Sequence, residues 1–305
     1  MRKEFAKAVL DLALKDERIV FLTGDLGFMA LEELRDAMKE RFINCGVAEQ
    51  NMASMAAGLA AKGFLPFAYS IAPFITLRPY EQLRNDVALH NLPVTIVGNG
   101  GGYGYGIMGA THHVLEDICI MRALPNMRVF VPSFSSDVEK CVHAALHRNR
   151  PAYLRLGKSV KEFGNITIES PWQACRRVSH GRQVTLITTG PIIENVITLL
   201  PDLPENSVDL FSVSEFPLTE FGAELKQSIS STKSVLVIEE HLQVGGLAEN
   251  LAHMILSQTV PLKTFKSLTA QGYPSGRYGS QLWHQTENEL AGASLLEHIK
   301  EALQP

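Results

Sequence analysis

Cysteine is scarce: Cys45, Cys119, Cys141 and Cys175 are the only four in 305 residues. They include no C-x-x-C pair and are too sparse to staple a chain this size, so a reducing cytoplasm is the expected compartment. Positive charge is not in excess either. The 28 Lys and Arg face 32 Asp and Glu, for a net charge of −4 and a pI near 6.2. Without a basic field there is no electrostatic support for binding nucleic-acid phosphates or an anionic membrane, and neither is expected as a partner. No apolar run approaches the roughly 20 residues that span a bilayer. The N-terminal MRKEFAKAVLDLALKDERIV alternates charge with apolar residues at helical spacing, unlike a signal peptide. Short-period repeats and low-complexity tracts are missing as well.

What is there is a chain with 46% hydrophobic and 20% charged residues, the balance of a globular protein with a large buried core. Its length favours two domains. Short apolar runs that read as buried parallel strands (RIVFLTG, FIN, FLPFAYS, PVTIVGN, MRVFVPS, PAYLRLG) alternate with helical stretches near 30–41, 49–62, 78–90, 113–123 and 137–148. Parallel strands need crossover helices covering both sheet faces, so this order predicts a doubly wound α/β domain over 1–160. Residues 161–178 interrupt the rhythm and read as a linker. VTLITTG, SVDLFSV, SVLVIEE, GGLAENLAHMIL and PLKTFKS then give a smaller α/β domain over 179–305.

Several segments carry polar residues in patterns that call for explanation. GVAEQNMASMAAGLAAKG (46–63) places Glu49 in the first turn of a small-residue helix. Taken alone, that carboxylate favours the helix dipole, and the alanines allow close approach of another helix, within the chain or across a subunit interface. Asp25 in TGDLG reads as a turn aspartate capping the next helix, Phe74 as a core ring, and Arg78 as a partner for a carboxylate such as Glu81. The adjacent His112 and His113 in GATHH point different ways and lack a third ligand, so no metal site is expected there. GNGGGYGYGIMG (98–109) contains G-x-G-x-x-G look-alikes, but it lies midway in the domain and no acidic residue follows at the expected distance.

Together, GVAEQNM, TGDLG, FITLRPYEQLRNDVALHNLPV, GATHH with the following PNM and VP, and EEHLQVGG resemble the transketolase superfamily of thiamine diphosphate enzymes. The resemblance implies roles residue by residue. Glu49 matches the glutamate that hydrogen-bonds a ring nitrogen of the cofactor's aminopyrimidine and activates it. Phe74 matches the aromatic ring against that pyrimidine, and Asp25 an aspartate near the cofactor. His112 matches a catalytic histidine that contacts substrate hydroxyls, while Arg78 and Arg155 fall on positions that can face a substrate phosphate. His113 stands where glutamine is more usual. Glu239, Glu240 and His241 of the EEH segment match a packing region, and SGRYGSQLWHQ (275–285) has no explanation beyond a charged loop.

The departures are as informative. Met108 replaces an acidic residue four positions before the histidine, Gly100 and Gly101 replace polar substrate contacts, and Phe28 and Met29 stand near where a phosphate-contacting serine is usual. No GDG motif, which in this family opens the magnesium and diphosphate site, occurs anywhere in the chain. The expectation is therefore a subunit of a two-component transketolase-like enzyme. Thiamine diphosphate would be shared with an N-terminal partner subunit that holds Mg2+, most simply in an α2β2 heterotetramer, to move a ketol or acyl-anion unit from a ketose or 2-oxoacid to an aldehyde or ketone. The alternatives are the β-subunit of a 2-oxoacid dehydrogenase complex and a non-catalytic scaffold subunit.

Overall fold

The computed structural model describes residues 1–27, 29–160 and 172–304. Among them, twelve strands form two sheets. In the first, β1 (Ile19–Thr23), β2 (Phe42–Asn44), β3 (Leu65–Ile71), β4 (Thr95–Asn99), β5 (Arg128–Phe130) and β6 (Ala152–Leu156) run parallel in the order β5-β6-β4-β3-β1-β2. The second contains β7 (Cys175–Ser179), β8 (Val184–Thr189), β9 (Val208–Val213), β11 (Ser234–Glu239) and β12 (Thr264–Thr269) in the order β12-β11-β8-β9-β7, with only β7 antiparallel. The two-residue β10 (Glu215–Phe216) leaves the second unit to pair antiparallel with β5. This is an α/β architecture of two parallel sheets packed with helices.

The central apolar runs become strands because both of their faces are buried, while the edge strands β2 and β12 are partly exposed. Val20 and Leu22 of β1 join one core, while Ile19 and Phe21 join another that includes Phe5, Phe67 and Tyr69. The same period of two divides β11, where Val235 and Val237 face the core shared with the first sheet and Leu236 and Ile238 face a third core. The two units are thus joined by a continuous apolar cluster. Polar ties reinforce it: Arg128 and Arg148 hold Glu215 at 2.7 and 2.8 Å, and Arg176 meets the buried Asp137 at 2.7 Å.

Helix Glu49–Ala61 buries Met52, Ala53, Ala56, Ala57 and Ala60, a stripe at helical spacing that packs on its own chain beside Ala68, Leu83 and Val87. Gly63, at φ 92°, turns the chain out of it. The helix expected near 78–90 is a short α turn, Tyr80–Gln82, running into a wide π-helical turn, Leu83–Ala88. The helix expected near 113–123 starts only at Asp117, because Val114 is drawn into an antiparallel bridge with Gly102. β7 begins within the stretch expected as a linker, of which 161–171 lie outside the described residues. No described helix is long and apolar enough to cross a membrane.

Candidate functional site

The C-terminal ends of four neighbouring strands, β2-β1-β3-β4, meet at one rim of the first sheet, the edge where open parallel sheets place their ligands. Asp25 follows β1, Glu49 follows β2, Phe74 and Arg78 follow β3, and His112 closes the long loop after β4.

Glu49 opens its helix and is only 3% exposed. A buried carboxylate needs partners, and it has two. Ser70, buried on β3, donates its hydroxyl to Oε1 at 3.1 Å, and Arg78 donates Nη1 to Oε2 at 3.0 Å. Gly24 sits close behind: a Cβ there would lie 3.6 Å from Glu49 Oε1 and from Ser70 Oγ. Arg78 also lies over the Phe74 ring, with Cζ 3.8 Å from its centroid. Phe74 in turn meets the His112 ring edge-on at 5.2 Å, and the Tyr105 ring lies 5.8 Å from that of His112. Glu49, Arg78, Phe74 and His112 therefore form one chain of contacts.

His112 sits in a turn, not on a helix, with Nδ1 held 2.9 Å from Thr111 Oγ1. Asp25, exposed and at φ 59°, is tied to Asn44 through its main-chain N–H and its carboxylate, both at 3.0 Å. It stands at the rim without touching Glu49. A cavity of about 490 Å3 adjoins the site, lined by Asn99, Gly100, Tyr105, Gly157 and Lys158 among others.

Arg155 is not brought to this group. It is 4% exposed, its Nε lies 2.9 Å from Asp117 Oδ2 with the N–H not aimed along that line, and its Nη2 donates to the Glu240 carbonyl at 3.0 Å. Its charge is already matched inside the protein, so its surroundings give no support to the substrate-binding role expected of it. The glycine loop explains part of the departure from the sugar-reading set. A Cβ on Gly100 would fall 2.3 Å from the Tyr105 ring, and one on Gly101 2.2 Å from Arg155 Nε, so these positions are taken by packing.

His113 turns inward. It bonds Tyr273 at 3.0 Å and packs among Tyr103, Tyr278 and His284, and burial first, then His284, pushes its pKa down to about 4. Residues 275–285, unexplained from sequence, are thereby the wall behind the histidine turn. Glu239 caps the helix Leu247–Ser257 through the N–H groups of Leu247 and Ala248 at 2.7 and 2.9 Å, and burial raises its pKa to about 7. Glu240 accepts from the Tyr103 N–H at 2.6 Å and from Gln281 at 3.0 Å. Both carboxylates are thus used in packing. Ser70, Tyr105 and Asn99, whose amide donates to Tyr105 Oη at 2.8 Å, are site residues that sequence reasoning missed. Their only signal was position at the ends of β3 and β4.

Residues 1–161 match the family model described as transketolase, pyrimidine binding domain. The chain belongs to the transketolase family. It is 32% identical to a putative transketolase C-terminal section of Methanocaldococcus jannaschii, over 87% of this chain and 85% of that one. To the B component of the apulose-4-phosphate transketolase of Phocaeicola vulgatus it is 28% identical, over 86% and 85%. Among solved structures it superposes on a split-gene transketolase, described as an inactive β4 tetramer, with a TM-score of 0.80 and 26% identity, covering 99% of this chain and 97% of that one. The chain is a transketolase-like transferase subunit, and the relatives favour that reading over a 2-oxoacid dehydrogenase β-subunit. The family implies thiamine diphosphate.

Proposed function

We propose that this chain supplies the pyrimidine-binding half of a two-component transketolase-like enzyme, moving a ketol or acyl-anion unit from a ketose or 2-oxoacid to an aldehyde or ketone. The observation that carries the reading is the buried Glu49 carboxylate, flanked by an aromatic face and a histidine at one strand-end rim. The residues fit the cofactor's flat ring, because Glu49 and Phe74 already hold a planar N–H donor between them. Thiamine diphosphate, when bound, supplies the carbanion-stabilising chemistry. Glu49 holds the proton on its aminopyrimidine nitrogen, with Ser70 fixing the carboxylate. Phe74 faces the ring, and Asp25 stands at the rim near it. His112 contacts substrate hydroxyls and moves a proton there. Arg78, once free, is a cation available to a substrate anion.

A partner subunit carries Mg2+ and the diphosphate, since the chain has no GDG segment and, among the described residues, no group of three or more His, Cys, Asp or Glu that could hold a metal. An α2β2 assembly in the cytoplasm is the simplest arrangement, and free cysteines suit that compartment. The expected domain limits of 1–160, 161–178 and 179–305 accompany this reading, with the second unit extended back to β7 at Cys175. With Met108 and the close-packed glycines in place of polar groups, the acceptor pocket is relaxed relative to one that reads a simple aldose phosphate. Calorimetry tests the split. The chain alone should not bind thiamine diphosphate tightly, and adding the partner should create both magnesium-dependent affinity and turnover. Sub-micromolar binding by the chain alone would overturn it.

A further inference from the structure

We infer that in the free subunit the Arg78 guanidinium occupies the seat of the cofactor's aminopyrimidine, so that loading the cofactor requires Arg78 to leave. The inference rests on the roles proposed above for Glu49 and Phe74. The seat consists of a carboxylate that must receive an N–H and a ring face that must receive a flat group. Arg78 meets both demands at once, with Nη1 3.0 Å from Glu49 Oε2 and Cζ 3.8 Å from the Phe74 centroid. A guanidinium resembles an aminopyrimidine protonated on its ring nitrogen in the features that matter here: both are planar and delocalised, and both present an N–H to the carboxylate. The two cannot share one carboxylate oxygen and one ring face.

The asymmetry of burial says which partner moves. Glu49 is 3% exposed and anchored by Ser70, whereas the Arg78 side chain is 44% exposed and can swing into water. A buried carboxylate without a partner is costly, so the pair keeps the free site in order. The same pair lowers the fraction of molecules ready to bind, and apparent affinity falls by that fraction. Arg78 is thus a placeholder that sets cofactor affinity, acting before any substrate is present.

The test is calorimetric titration of thiamine diphosphate with Mg2+ into the reconstituted pair, comparing wild type with Arg78→Met and Arg78→Lys. Removing the planar cation should tighten binding roughly tenfold in Arg78→Met, because the free state loses its substitute partner. Arg78→Lys, which keeps charge but not the flat face, should fall between. Binding by Arg78→Met that is unchanged or weaker would overturn the inference, and Arg78→Lys decides the question on the same terms should the first variant fail to assemble. Glu49→Gln and Phe74→Ala separate the two levels. If both weaken binding while Arg78→Met does not tighten it, the seat stands and the placeholder fails; if neither weakens binding, the seat itself was misassigned.

Discussion

Replacing Arg155 with Met asks whether a residue in a family-like position serves substrate or structure. The side chain ties three parts of the molecule: Asp117 at 2.9 Å, the Glu240 carbonyl at 3.0 Å and the Val114 carbonyl at 3.4 Å. Asp117 is fully buried, and Tyr153 donates to its Oδ2 at 2.7 Å. Removing one partner of a buried ion pair costs about 3–5 kcal/mol, because the remaining charge is stranded. The surviving Tyr153 bond places the expectation near the lower end, about 3 kcal/mol, or roughly 5 °C in Tm for a chain of this size. Thermal and urea unfolding measure it, with Asp117→Asn combined with Arg155→Met as the companion. The double variant should recover part of the loss, since the stranded charge is then gone. A substrate role predicts the reverse pattern: Tm within about 1 °C of wild type, and a KM for phosphorylated substrates at least about tenfold higher. That outcome would refute the structural reading.

Two further outcomes follow from the site. Glu49→Gln in the assembled enzyme should lower turnover by about 10²-fold or more while leaving the fold intact, and single-turnover kinetics with wild-type rates would sink the assignment. His113, held neutral with its pKa near 4 against 6.5 when free, is protonated first in the unfolded chain, so it favours folding above about pH 6.5 and that contribution is lost as pH falls towards 4. The shift corresponds to at most about 3 kcal/mol. Glu239, raised to about 7, has the opposite sign and weakens the fold as pH rises between 4.5 and 7, but His241, also pushed down to about 4 by burial, adds to the loss on the acid side, so wild type should lose stability as the pH falls. His113→Gln removes its share of that loss, so the variant's urea midpoint should fall less than that of wild type between about pH 7.5 and about pH 5; equal drops in both proteins would exclude His113 as a cause.

Most strands of the two sheets, β7 and β10 excepted, were legible because they are short apolar runs bounded by turn residues, and burial leaves no other use for such a run. What was illegible depends on distant partners. β10 is two residues long and exists because β5 offers it an edge and two arginines hold Glu215. The helix Asp117–Arg122 is short because Gly102 claims Val114. Residues 275–285 look like a charged loop, yet Tyr278 and His284 pack against His113 and Tyr103 from more than about 150 positions away. Local propensity contains none of this.

At the site the same division holds, with a sharper consequence. Glu49, Phe74 and His112 were named from motifs and come together at one rim, because parallel strands deliver their C-terminal ends to one edge. A motif fixes which residues reach the rim but not which of them pair there. Arg78 and Arg155 looked alike in sequence, two arginines at positions suited to an anion. In the folded chain one is buried against Asp117 and the other pairs with Glu49 over the Phe74 ring. The difference comes from what stands opposite each guanidinium. Asp117 lies inside the protein with no way out to water, so Arg155 is fixed for the life of the fold. Glu49 lies at an open strand-end rim with a half-exposed Arg78, so under the proposal above Arg78 is held only until a better flat donor arrives.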